Sequence, residues 1–117
     1  MSVPDIPLPR VSPRQASVLE GLLRAGFRFV TFERFARYPA VEKDGFVALL
    51  DLAGERVRRF GMAGYHLGEG IGMLLERGSD RFFVWKDQTV PATPELLAAY
   101  AQFNRELDSL LVETPPQ

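Results

Sequence analysis

The sequence predicts an α+β domain: a mostly antiparallel sheet of about five strands, laid out as a meander and flanked by an N-terminal and a C-terminal helix. Three observations carry this reading. Helix-start signals stand at Ser12-Pro13 and Thr93-Pro94. Short aromatic and β-branched runs punctuated by glycine fill the stretch between Phe27 and Lys86. Two of those runs, Phe46–Leu52 and Phe82–Trp85, are apolar at successive positions, as expected of strands covered on both faces.

Residues 1–11 carry Pro4, Pro7 and Pro9 and predict an extended, flexible arm. Ser12-Pro13-Arg14-Gln15 then combines a capping serine, a first-position proline and a capping-box glutamine. Ala16, Leu19, Leu22 and Leu23 form one helical stripe, and Gly26 supplies the left-handed stop. Phe27–Phe35 reads as a strand, with a short helical turn at Phe32–Tyr38 as the rival. Tyr38–Gly45 reads as a polar connection ending in the turn signal Lys43-Asp44-Gly45.

Phe46–Leu52 is a buried strand, and Ala53-Gly54 turns the chain into the more polar strand Arg56–Phe60. A glycine-rich segment, Gly61–Gly72, follows and reads as a wide turn, its glycines letting adjoining strands bend or bulge. Ile71–Arg77 and Arg81–Asp87 form a hairpin around Gly78-Ser79-Asp80, although Ile71–Arg77 also fits two turns of helix. Thr93-Pro94-Glu95 starts the second helix, which runs to about Leu111. Leu96, Tyr100, Phe103, Leu107 and Leu110 line one side of it. Their heptad-like spacing fits packing on the sheet or a dimer seam. The domain is expected to span 12–112, with 113–117 as a tail. The expected core includes Val47, Leu49, Leu50, Phe82, Val84, Leu107 and Leu110.

Composition narrows the function. The 117 residues contain no cysteine, which removes disulfides, thiol catalysis and cysteine-ligated metal or Fe–S sites. The net charge of −1 gives no global field for a polyanion. The N-terminus lacks the basic-then-apolar pattern of a secretory signal, and no apolar run reaches the ~20 residues of a membrane span. A cytoplasmic protein without cofactor or metal is the expectation.

Three local features bear on chemistry. Tyr65, His66 and Glu69 lie close in sequence around the single histidine, His66, and offer the one place for a general acid–base pair. Gly68-x-Gly70-x-Gly72 suggests a phosphate loop, but the spacing departs from the dinucleotide fingerprint and no Walker lysine follows. Aromatic residues alternate with Arg28 and Arg34, and Arg56, Arg58 and Arg59 follow. Sheets that stack bases and pair phosphates use that chemistry. Between residues 27 and 86, however, ten basic residues face eight acidic ones, a net of only +2.

The expected function is therefore a non-catalytic protein-binding or self-associating domain, most simply a homodimer. The alternatives are a small-molecule site or enzyme near Gly61–Gly72, and nucleic-acid binding on the Phe/Arg strands. On this reading His66→Ala should leave stability within about 1 kcal/mol.

Overall fold

The computed structural model describes residues 11–111. Helix α1 spans Pro13–Arg24 and helix α2 spans Pro94–Leu111. Between them lie β1 (Arg28–Val30), a 3-10 turn (Glu33–Phe35), β2 (Ala40–Lys43), β3 (Phe46–Asp51), β4 (Arg58–Leu67), β5 (Gly70–Arg77), β6 (Asp80–Trp85) and β7 (Gln88–Pro91). The strands form one antiparallel meander in the order β1-β2-β3-β4-β5-β6-β7. The expected fold class stands, but the sheet has seven strands rather than about five. The expected arm and tail lie outside the described residues, apart from Val11.

The two additional strands are short. β2 was expected as a connection. It has only four residues, too few to display alternation, yet its hairpin partner was signalled by Asp44-Gly45. Both turn residues take positive φ, 55° and 89°, the conformation that favours Asp-Gly in two-residue hairpins. β7 follows a two-residue turn at Lys86-Asp87 and ends at Pro91, which an edge strand tolerates because its outer side needs no N–H donor. The Phe27–Phe35 segment splits: a three-residue strand, then the 3-10 turn.

The glycine-rich segment is also not a wide turn. β4 continues through it to Leu67, and only Gly68-Glu69 lie between β4 and β5. Val47 pairs with Gly64 and Leu49 with Phe60, so β4 advances four residues while β3 advances two. Gly61, at φ 77°, absorbs the excess as a bulge. A shift of two keeps every side chain on its own face.

Caps were legible locally. Ser12 Oγ accepts from the Gln15 amide at 3.0 Å and Gln15 Oε1 accepts from the Ser12 amide at 2.9 Å. Thr93 Oγ1 accepts from Leu96 N at 3.1 Å. Gln15 does more than cap. Its side chain is buried, and Nε2 donates to the carbonyls of Leu52, Gly54 and Arg56 at 3.0, 2.7 and 3.2 Å. This clasps the β3–β4 turn to the start of α1.

Both helices pack on one face of the sheet. Leu19 and Leu22 of α1 and Phe103 and Leu107 of α2 join Val41, Phe46, Ala48, Leu50 and Phe83 in the main core. Phe46 is its centre, with ring centroids of Tyr65, Phe83, Tyr100 and Phe103 at 5.3, 6.0, 5.6 and 6.0 Å. Leu96, Tyr100, Phe103, Leu107 and Leu110 all face this core, so the stripe of α2 packs on the sheet side.

The second face holds a smaller cluster: Ala40, Val47, Leu49 and Ile71, covered by Phe32 with Val30, Phe35 and Tyr38. This cover reaches only part of the sheet. Of the expected core, Val47, Leu49, Leu50 and Leu107 are buried, whereas Phe82, Val84 and Leu110 are half-buried. Phe82 and Val84 pair in register with Leu75 and Met73, on the open face, while Phe83 between them is fully enclosed beneath the helices.

Candidate functional site

The open face is the surface that the fold leaves unfinished. Phe60 and Met62 of β4 and Met73 and Leu75 of β5 are 40, 69, 38 and 46 % exposed. Strand alternation and the paired register put all four on the face away from the helices. The Tyr38 ring stacks on Phe60 at 4.0 Å and 10°, so the covering segment stops at this row.

A shallow groove of about 400 Å³ runs across this face. Its walls are Phe35, Leu49, Phe60, Met62, Ile71, Met73 and Val84, and Arg34, Trp85 and Lys86 close one end. No carboxylate lines it. The Arg34 guanidinium lies 5.9 Å and the Lys86 ammonium 5.1 Å from the Trp85 ring centroid, both within cation–π range. Trp85 rests on Gly70, where any Cβ would run into the indole. Beyond these three residues lies a second, polar pocket of about 590 Å³ that adds Glu33, Gly68, Glu69 and Gln88.

His66 also reaches the open side, within an ionic group centred on the buried Glu42. Its Nδ1–H donates to Glu42 Oε2 at 2.6 Å, and Arg28 Nε donates to Glu42 Oε1, also at 2.6 Å. Glu42 is an ionised acceptor here, so Nδ1 of His66 bears a hydrogen. Burial acts to raise the Glu42 carboxyl. The hydrogen bonds from His66 and Arg28, with their charges, outweigh it and hold the group below the ordinary carboxylate range. Phe32 packs edge-on against the imidazole at 5.1 Å. The group ties β1, β2 and β4 to the segment that covers the sheet.

The residues singled out in the sequence are distributed as follows. Tyr65 and His66, being neighbours on a strand, point to opposite faces: Tyr65 joins the rings around Phe46, and His66 meets Glu42. Glu69 sits in the β4–β5 turn beside the polar pocket. Arg28 is bonded to Glu42. Arg59 turns toward the helices, with Nε on Asp108 Oδ1 at 2.8 Å and Nη2 on the Asn104 carbonyl at 3.1 Å. Arg56 and Arg58 are exposed beside the β3–β4 turn, and Arg34 stands at the groove end. The five arginines thus do not form one continuous face.

Glu42 was missed as a partner of His66, because residues 24 positions apart meet only through the pairing of β2, β3 and β4. The groove end had no sequence signal either, since it joins residue 34 to residues 85 and 86. Among the described residues no group of three or more His, Asp or Glu is arranged to hold a metal ion, and no helix is long and apolar enough to cross a membrane. No protein-family model matches the chain, and no curated protein or solved structure matches it significantly.

Proposed function

We propose that this protein is a non-catalytic binding domain that works through the open face of its sheet and pairs there with a second copy of itself. One observation carries the reading. Both helices pack on the same face, and Phe60, Met62, Met73 and Leu75 stand exposed on the other, the first three lining one groove. Folded monomers seldom leave an apolar patch of more than a few hundred Å² to water. Two-fold pairing is the commonest way to cover one, because the same patch serves both partners. Methionines suit such a surface, since their flexible thioethers adapt to a facing shape.

Light scattering across the micromolar range tests this. The expected mass is twice the single-chain 13.1 kDa, falling on dilution. Met62→Asp should shift the protein to the single-chain mass without loss of secondary structure, because this side chain is 69 % exposed and supports no core. A wild-type mass of one chain at every concentration refutes the pairing.

A further inference from the structure

We propose that the groove on the open face binds an amphipathic anion: an aliphatic chain along its apolar walls, with an acidic headgroup against Arg34 and Lys86. The inference rests on the open face being the working surface and adds the chemistry of what it holds.

Arg34 and Lys86 stand at the same end of the groove, each over the Trp85 ring, and neither forms an ion pair among the described residues. Glu33 and Glu69 line the neighbouring polar pocket, yet neither pairs with them. Two cations therefore converge where the groove itself offers no counter-charge. Lys86 is held there by a backbone at φ 52°, a conformation that side-chain-bearing residues adopt at a cost. The rest of the groove is aliphatic, aromatic and thioether surface. Its volume of about 400 Å³ lies within the range of small-molecule sites. A ligand complementary to both parts has an apolar body and one anionic end.

Pairing of two copies sharpens the need for such an anion. The groove is shallow, and a second copy laid over Phe60, Met62, Met73 and Leu75 would roof it. Covering two cations without a partner charge is unfavourable, and a bound headgroup removes that penalty.

Trp85 is the only tryptophan and its ring lies within cation–π range of both Arg34 and Lys86, so its fluorescence responds to a headgroup bound between them. The full chain is titrated with decanoate, and separately with decanol, below the concentration at which the acid forms micelles. Decanoate should give a saturable change and bind more tightly than decanol. The double variant Arg34→Gln, Lys86→Asn should bind decanoate about tenfold more weakly, through loss of charge-assisted contacts, and decanol as before. Asparagine is chosen at 86 because it tolerates positive φ. Equal binding of acid and alcohol, no saturable change, or wild-type decanoate affinity in the variant overturns the proposal. Mass measured without ligand keeps the two readings apart. A single-chain protein that selects decanoate by charge refutes the pairing alone, and a dimer indifferent to charge refutes the anion site alone.

Discussion

Gln15→Ala should destabilise the fold by about 2.5–5 kcal/mol, far more than an ordinary helix-cap change, because one amide holds two structures together. Its Nε2 donates to three carbonyls of the β3–β4 turn, and its Oε1 caps the first turn of α1. The Leu52 carbonyl is buried, and leaving it unpaired costs about 1–3 kcal/mol. The Gly54 and Arg56 carbonyls lie at a partly exposed turn where water can replace the amide, so each contributes about 0.5 kcal/mol. Loss of the reciprocal cap adds about 0.5–1 kcal/mol. Gln15→Glu separates donor from acceptor. It retains an oxygen for the Ser12 amide but sets a carboxylate against the three carbonyls. At neutral pH it should be worse than alanine. Its folded-state pKa is then raised, so stability relative to wild type should recover in acid and be lost as pH rises through that value. Urea unfolding followed by circular dichroism measures both variants. A loss under about 0.5 kcal/mol in Gln15→Ala, or a Gln15→Glu variant no worse than alanine at neutral pH, would refute the clasp.

Three further outcomes follow from other parts of the structure. The Glu42 carboxyl is held below its ordinary range, so its contribution is present above about pH 4.3, the unfolded value, and is lost as pH falls through the lower folded value. The stability gap between wild type and Glu42→Gln should shrink on acidification, and a gap unchanged down to pH values below the carboxylate range would contradict this. His66→Ala should cost about 1–3 kcal/mol, more than the sequence suggested, because it strips a hydrogen bond from a buried carboxylate; a loss below that range in urea unfolding argues against the bond. Gly64→Ala should be among the most damaging small changes. Its Cβ would meet the Gly72 carbonyl across the β4–β5 pair, where backbone cannot yield, so a melting temperature equal to wild type would show that the strands are spaced differently.

How much of this was legible in the sequence depended on the distance over which each feature is decided. The capping box at Ser12 and Gln15, the Thr93 cap and the two-sided burial expected of Phe46–Leu52, found as the strand Phe46–Asp51, rest on neighbours within a few positions. The glycine-rich segment misled because glycine marks both turns and strands under close approach. Gly64 and Gly70 lie in strands because a carbonyl and an indole from other segments leave no room for a Cβ. β2 and β7 were hidden by brevity: four residues become a strand only once a neighbour supplies the ladder.

The sequence by itself determined the α+β class, both helices, the central strands and the absence of thiol chemistry, since local periodicity, caps and composition need no tertiary partner. Only the tertiary structure decided that both helices share one face, that Glu42 rather than Tyr65 or Glu69 meets His66, and that Arg34 and Lys86 converge on Trp85. A strand apolar on both sides states that each side requires cover, but not which element supplies it. That choice is made only when the strands pair into one sheet and both helices settle on the same side of it.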